Sequence, residues 1–241
     1  MKRPGLTLSL VLILVIALWA GAALAEDIMN VPTANQQNAG AVKLAYTSSD
    51  PHNPNPAAPS HINCYKAFIG LTDRLEVDAR VIDPNHGVMA KTHWNATALL
   101  VKEDAEKPNV VLGVNDISQQ YVYSAGPRAG RRAERAYFLA SAKTVVNAPV
   151  RGQAPKFPLV RLHLSVGTKR HSGIFGGLQA KVTPKLGAVA FFFRDDVQFA
   201  PDDSGWVYGI NYTEGPGWPT IQIGKCGRSD MICASYNFAA K

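Results

Sequence analysis

Alternation of apolar and polar residues, with a period of two, constrains the fold of this chain more than any other feature. The clearest case is a seven-residue segment in which Leu75, Val77, Ala79 and Val81 alternate with Glu76, Asp78 and Arg80. Because successive side chains of a β-strand point to opposite faces, this segment has one apolar face and one densely charged face. The pattern therefore predicts a β-strand.

Further segments along the chain show the same alternation, and Gly, Pro, Asn and Asp residues separate them. Strands are predicted at about 41–47, 62–70, 74–82, 93–102, 109–115, 136–142, 160–166, 174–183, 186–194, 206–213, 220–225 and 232–238. No helical pattern lies between them, which excludes a parallel α/β sheet because its crossovers need helices. A β-sandwich or a barrel remains. We predict an all-β fold, an antiparallel up-and-down (meander) β-barrel of roughly 10–12 strands over residues 41–241.

The N-terminus has the features of an export signal. Lys2 and Arg3 precede an apolar run from Leu6 to Ala20, and Ala23-Leu24-Ala25 resembles a small-x-small cleavage site. The apolar run is shorter than the roughly 20 residues that a helix needs to cross a bilayer. We therefore predict a signal peptide at 1–25, a lead-in at 26–40, and a mature protein in the outer membrane, with the periplasm or the exterior as alternatives.

The charge balance is moderately basic. The net charge of +7 falls to +5 when Lys2 and Arg3 leave with the signal. A positive excess favours anionic surroundings such as lipid phosphate or acidic polysaccharide. Export and the lack of a recognition motif argue against nucleic acid. The basic run from Arg128 to Arg132 lies in a Gly/Pro-rich stretch and is predicted to be a solvated loop.

Export makes disulfide bonds chemically accessible to the three cysteines. Cys226 and Cys233 flank the turn-rich segment Gly227-Arg228-Ser229-Asp230, so a bridge across a hairpin is sterically reasonable. The sequence leaves open whether this pair is bonded. Cys64 then remains as a small apolar residue in a strand.

Alternation alone does not distinguish a soluble sheet from a membrane barrel, in which the apolar face meets lipid and the polar face lines the lumen. Small residues on the presumed inner faces suit a narrow barrel: Gly167, Gly177, Gly187, Gly209 and Gly224. Aromatic residues gather near strand ends, as in interfacial girdles: Tyr46, Phe68, Trp94, Trp206, Tyr208, Tyr212, Tyr236 and Phe238. The residues predicted to face the lumen are Lys66, Glu76, Asp78, Arg80, Arg161, His163, Gln179, Lys181 and Asn211.

The sequence contains no G-x-S-x-G, HExxH or Walker motif. Glu76 and Asp78 could form a carboxylate pair, but Arg80 beside them favours a structural charge ladder. The dispersed histidines are predicted to occupy loop or surface positions: His52, His61, His86, His93, His163 and His171. We therefore expect no catalytic residue, no metal, no cofactor and no enzymatic activity.

Two phrases resemble a known family. The segment from Gly173 to Leu186 (GIFGGLQAKVTPKL) followed by Val207 to Tyr212 (VYGINY) is similar to the hairpin and "NYGLRY" phrases of YjbH-type outer-membrane β-barrel proteins. The stretch from Met29 to Asn35 resembles that family's opening. The acidic pair that follows the family's hairpin is replaced here by Phe192-Phe193-Arg194-Asp195, and the chain is much shorter, so it would be a compact relative.

The resemblance implies an outer-membrane barrel linked to exopolysaccharide production, and it transfers no catalytic residue. We therefore expect a structural or transport role in the envelope, with outer-membrane lipid and polysaccharide or export machinery as partners. The alternative is a soluble secreted β-sandwich that binds carbohydrate or lipid through its loops.

Overall fold

The fold was analysed in a computed structural model of the 241-residue chain. The structure describes residues 33–50, 61–84, 91–120, 132, 134–148, 154–193, 205–215, 217–227 and 229–238. The predicted signal peptide, most of the loop around Arg128 and part of the predicted lead-in lie outside these residues.

The described residues form twelve strands, and a 3₁₀ turn at Lys169–His171 follows the seventh. The strands are β1 (Val42–Asp50), β2 (Ile62–Thr72), β3 (Leu75–Pro84), β4 (Lys91–Val101), β5 (Asn109–Asn115), β6 (Ala136–Val146), β7 (Leu159–Gly167), β8 (Gly173–Lys181), β9 (Leu186–Phe193), β10 (Gly205–Thr213), β11 (Thr220–Cys226) and β12 (Ser229–Phe238).

The twelve strands form one closed sheet. Each strand pairs antiparallel with its sequence neighbours, and β1 pairs with β12 to close the ring, with Val42 opposite Phe238 and Asp50 opposite Asp230. The predicted up-and-down barrel is confirmed. The alternative β-sandwich is wrong, because a single closed sheet has no second sheet to pack against.

The barrel has two ends, which we name by the chain termini. At the terminal end, where β1 begins and β12 finishes, the β2–β3 connection is only residues 73–74. At the distal end the β11–β12 connection is residues 227–228, whereas residues 116–135 join β5 to β6.

Every strand has one buried and one exposed face, and the burial pattern shows which residues point inward. In β6, Ala136, Phe138 and Ala140 are buried, whereas Tyr137 and Leu139 between them are exposed. In β3 the charged Glu76 and Asp78 are the buried residues and Leu75 is exposed. The polar face of the third strand therefore lies inside the barrel and its apolar face lies outside.

Residues 33–41 enter the barrel before β1 begins. Ala34 and Ala41 are almost completely buried, and the Gln36 amide donates to the Thr97 hydroxyl of β4 at 2.9 Å. Gly40 N–H donates to Gly70 O at 2.8 Å, and Gly70 N–H donates to Ala41 O at 3.0 Å. We call residues 33–41 the inner segment. It lies against the inner faces of β2 to β5.

Gly70 permits this close approach. A Cβ atom built on Gly70 would lie 2.0 Å from the backbone oxygen of Asn38, which is far inside van der Waals contact. Only glycine allows two backbones to come so near. No helix within the described ranges is both long and apolar enough to span a bilayer.

Candidate functional site

All nine residues predicted to face the lumen occupy inward positions of their strands. Glu76, Asp78, Lys66 and His163 have at most 6% of their surface exposed, and Asn211 has 9%. The others are Arg80, Arg161, Gln179 and Lys181, which are partly buried. Four of the six charged members lie on β2 and β3, so this side of the interior is strongly polar, and the other two, Arg161 and Lys181, lie on β7 and β8.

A hydrogen-bonded network on β3 and β4 organises this polar side. Arg80 Nε donates to Asp78 Oδ1 at 2.6 Å, and the Asn95 amide donates to the same oxygen at 2.7 Å. Arg80 also lies over the Phe68 ring, 5.7 Å from its centroid. The Asp78 carboxylate therefore has charged and neutral donors inside the barrel, as a structural charge ladder requires.

The network continues into the distal turn after β5. Asn95 Oδ1 accepts the backbone N–H of Asp116 at 2.7 Å, and Asp116 Oδ1 accepts the N–H of Gln120 at 2.9 Å. Asp116 has a positive φ of 57° and no exposed surface. His93 Nδ1 lies 3.4 Å from Asp116 Oδ1. The side chain of Asp116 thus fixes a left-handed turn that short polar residues tolerate.

A second ion pair lies toward the terminal end. Arg161 of β7 donates to the Glu103 carboxylate and also to the Thr144 hydroxyl at 3.2 Å, whereas Glu103 accepts the backbone N–H of Thr144 at 2.7 Å. Both charged side chains are 19% exposed. The β4–β5 turn is thereby joined to β6 and β7.

The other side of the interior is apolar. Phe138, Phe175 and Phe191 are buried to 4% exposure or less, and they form a core with these smaller residues: Ala34, Val111, Ala140, Ala142, Val189, Val207, Cys226 and Met231. A Cβ atom on Gly113 would lie 2.1 Å from the Phe138 ring, so the ring lies directly over that glycine. The interior therefore combines a packed apolar region with the polar region on β2 to β4.

A row of polar side chains crosses the inner wall between these two regions. In strand register Asn211 lies opposite Gln222, Gln222 opposite Cys233, and Cys233 opposite Thr47. Thr47 Oγ1, Gln222 Oε1 and Asn211 Oδ1 are buried and have no hydrogen-bond partner in the described part of the chain. Buried oxygens of this kind favour water or a polar solute at the wall.

The possible disulfide between the two C-terminal cysteines, which the sequence left open, is not formed. No bond joins Cys226 to Cys233. Cys226 lies opposite Ser229 and Cys233 lies opposite Gln222, so the two cysteines are four residues apart along the strand direction. At roughly 3.3 Å per residue this separation exceeds the roughly 7 Å that a disulfide can span between Cα atoms.

Three of the histidines correct the expectation of loop or surface positions. His93, His163 and His171 are buried, with 1%, 5% and 1% exposure. His171 Nε2 lies 2.6 Å from the Asn115 amide, and the His163 ring lies 5.1 Å from the Phe191 ring. Alternation with Leu162 and Leu164 had already placed His163 among the residues predicted to face the lumen. The Asp116 turn beside His93 and the 3₁₀ turn that contains His171 gave no periodic signal.

The outer face is apolar around the whole circumference. Every strand contributes at least one exposed large apolar residue: Tyr46, Tyr65, Leu75, Trp94, Leu112, Leu139, Leu164, Ile174, Phe192, Ile210, Ile223 and Ile232, in strand order. We call this surface the outer belt. Of the aromatics predicted near strand ends, Phe68 is wrong as a girdle residue, because it points inward and is 5% exposed.

No metal centre is evident within the described residues, where no group of three His, Cys, Asp or Glu side chains could hold an ion. The chain matches no protein-family model and no curated protein. A closed twelve-stranded barrel with an apolar exterior and a mixed, partly charged interior is the class that fold and site define.

Proposed function

We propose that this chain is an outer-membrane β-barrel protein with a structural or transport role in the cell envelope. The observation that carries the proposal is the outer belt, since apolar side chains such as Leu164 (63% exposed) and Ile174 (71% exposed) project outward from every strand. Soluble monomers rarely expose contiguous apolar patches larger than a few hundred Å². Lipid acyl chains provide the surroundings in which this surface is stable.

The dimensions and polarity of the wall support the same proposal. Nine of the twelve strands contain 9–11 residues, which is about the length that a tilted transmembrane β-strand needs, and β5, β9 and β11 are shorter. Closure of the sheet satisfies the backbone groups of both edge strands, which a bilayer interior requires. Aromatic side chains lie toward both ends of the outer belt, with Trp206 near the distal end and Phe238 near the terminal end.

A link to envelope polysaccharide rests on the YjbH-type phrases and on the basic charge of the chain. Inside the barrel, the polar row of Thr47, Gln222 and Asn211 offers oxygens that bind hydroxyl groups or water. The inner segment and the apolar cluster around Phe138 occupy part of the interior. This favours a scaffold, or a channel that opens only when the inner segment moves, over a wide open pore.

Fractionation with refolding tests the proposal. We expect the mature protein in the detergent-soluble outer-membrane fraction, with a heat-modifiable band on a gel, and spontaneous folding into phospholipid vesicles. Recovery from the soluble periplasm without a heat-modifiable band would reject the membrane assignment. Ion conductance across a planar bilayer then separates a transport role from a scaffold, and a silent inserted barrel identifies the scaffold.

A further inference from the structure

Three polar side chains on the outer face, at the distal end of β1 and β2, are arranged as a nucleophile, a base and an acid. Ser48 Oγ lies 3.3 Å from His61 Nε2, and His61 Nδ1 lies 2.5 Å from Asp50 Oδ1. Ser48 and Asp50 are two residues apart on β1 and share its outer face, and His61 directly precedes β2. We call these three residues the rim triad.

The hydrogen bonds set the roles of the two imidazole nitrogens. An ionised carboxylate only accepts, so Asp50 takes the proton of His61 Nδ1. His61 Nε2 is then an acceptor, and the Ser48 hydroxyl donates to it, as a general base requires of its nucleophile. The 3.3 Å from Ser48 Oγ to His61 Nε2 is slightly longer than a usual hydrogen bond between a nucleophile and its base. Such bonds are often long in enzymes without bound substrate and shorten when substrate binds.

The side-chain oxygen of Asn63 can stabilise the protonated form of His61. Its Oδ1 lies 3.1 Å from His61 Nε2 and accepts the Tyr46 hydroxyl at 2.6 Å. When Nε2 gains a proton it can donate to Asn63, which stabilises the imidazolium. Hydrogen bonding to Asp50, then to Asn63, raises the pKa of His61 above its usual value of 6.5.

The surroundings of the rim triad indicate the substrate class. Ser48 lies opposite Ile232 of β12, which is 53% exposed, and opposite Asn63 of β2. The Tyr46 and Tyr65 rings pack 5.3 Å apart immediately below it on the outer belt. A hydroxyl nucleophile beside a surface suited to acyl chains, at the end of the strands, lies where the ester groups of membrane lipids are found.

We propose that Ser48, His61 and Asp50 form a hydrolytic site for acyl esters of membrane lipids. The inference rests on the proposed membrane barrel for its substrate, but not for its chemistry. Ser48 Oγ attacks the ester carbonyl carbon as its proton passes to His61 Nε2. The carbon–oxygen bond to the alcohol then breaks, and His61 returns the proton to the departing alcohol, which leaves an acyl group on Ser48. Water, deprotonated by His61, releases the fatty acid and restores the Ser48 hydroxyl.

In this scheme Ser48 and His61 are catalytic residues, and Asp50 and Asn63 are positioning residues that act through His61. The overall reaction consumes one water and one ester and yields one acid and one alcohol. No oxidant, reductant or metal is needed. The proposed role is the opposite of our expectation from sequence that the chain has no enzymatic activity, and the two experiments below decide between them.

The first experiment is active-site labelling with an alkyl fluorophosphonate on the full chain, refolded in detergent and checked by heat modifiability. We expect one label on Ser48. Ser48→Ala should lose it, whereas Ser49→Ala, the next residue on the opposite strand face, should retain it. His61→Gln should reduce labelling and hydrolysis of a short-chain soluble ester by about 100-fold or more, and Asp50→Asn by about tenfold or more.

The second experiment measures fatty-acid release from phospholipid vesicles that contain the inserted protein. We expect release by wild type and by Ser49→Ala, and none by Ser48→Ala. A folded, inserted wild type with neither label nor fatty-acid release overturns the inference and leaves the membrane barrel intact. Hydrolysis of the soluble ester with unaltered vesicle lipid overturns the lipid assignment. Labelling of Ser48 in a protein that does not insert overturns the proposed function and the lipid substrate together, and leaves only the triad chemistry.

Discussion

The backbone N–H of Gln37 donates to the carboxylate of Glu76 at 2.7 Å inside the barrel. Both residues are buried, with 3% and 6% exposure. This bond joins the inner segment to β3 at a point where water has little access. The Glu76 carboxylate therefore holds the inner segment against β3.

Replacement of Glu76 should therefore destabilise the barrel according to what the new side chain can accept. Glu76→Ala leaves the Gln37 N–H without its acceptor, and we expect a loss of about 1–3 kcal/mol in the free energy of unfolding. Glu76→Gln keeps an acceptor oxygen and should lose less. Urea-induced unfolding in vesicles measures both. Equal stability of Glu76→Ala and wild type would contradict the assigned role.

An arginine on the outer belt distinguishes lipid from water around the barrel. Leu164, near the middle of β7, is 63% exposed. We expect Leu164→Arg to cost about 2–4 kcal/mol in a bilayer, because charge near the midplane is unfavourable. The control is Ala154→Arg at an exposed position of the β6–β7 connection, which should change stability by less than about 0.5 kcal/mol. The same small effect for Leu164→Arg would indicate that this face meets water.

A methyl group on Gly70 should displace the inner segment without unfolding the sheet. The Cβ atom would overlap the backbone oxygen of Asn38, and a backbone atom cannot move aside as a flexible side chain can. We expect Gly70→Ala to make residues 33–41 sensitive to protease while the heat-modifiable band persists. Gly173→Ala is a control for the bulk of the new side chain, since a Cβ there meets nothing within 4 Å, although its φ of 99° adds local strain.

The pairing of His61 with Asp50 predicts a specific pH dependence. The pKa of His61 is raised in the folded chain, chiefly by the hydrogen bond to Asp50. Asp50 also lies opposite Asp230, which pairs with Lys225 at 2.9 Å, and Asp83 lies opposite Asn63. A raised pKa stabilises the fold below about 6.5, and this contribution is lost as pH rises through the folded-state value.

The stability difference between wild type and His61→Gln should accordingly be larger at pH 5 than at pH 9. NMR titration of His61 should show its pKa falling toward the ordinary value in Asp50→Asn. If His61 hydrolyses esters through its neutral form, the rate should rise with pH, and the Asp50→Asn profile should shift to lower pH. An unchanged titration in Asp50→Asn would contradict the pairing.

The register of β11 and β12 predicts that oxidation does not link the two C-terminal cysteines. Gel mobility of Cys64→Ser, which retains only Cys226 and Cys233, should be the same with and without reductant. The Cys233 thiol is buried and should react with a maleimide only after unfolding. A mobility shift on reduction would contradict the register.

Period-two alternation was sufficient to predict the strands and their inward faces, because burial on one face is encoded residue by residue along each strand; it left both a barrel and a β-sandwich open. The ends of strands were less well predicted. The first strand was expected to end at Thr47, but it continues to Asp50. Because Ser48, Ser49 and Asp50 are all polar, the sequence predicted a loop there. At the rim of the barrel, however, polar residues can remain in the sheet. That is why the rim triad was missed.

Contacts that form only when the sheet closes into a barrel could not be predicted from the sequence either. Ala34 is buried and Asp116 fixes a turn only because distant strands surround them, and neither lies in a periodic segment. The nine inward candidates, by contrast, followed directly from alternation. The state of the two C-terminal cysteines was left open because the sequence does not show the register, which places Cys226 opposite Ser229 and Cys233 opposite Gln222.

The pairing of β1 with β12 has a consequence for biogenesis. The first strand must wait for the last, so most of the chain has to be delivered before either edge is covered. Such long-range pairing is slow, and exposed edges invite association with other chains. Deletion of the chain from Tyr236 onward would remove the β12 partners of Val42 to Leu44, so the start of β1 would be paired on one side only and its other edge would stay open to association.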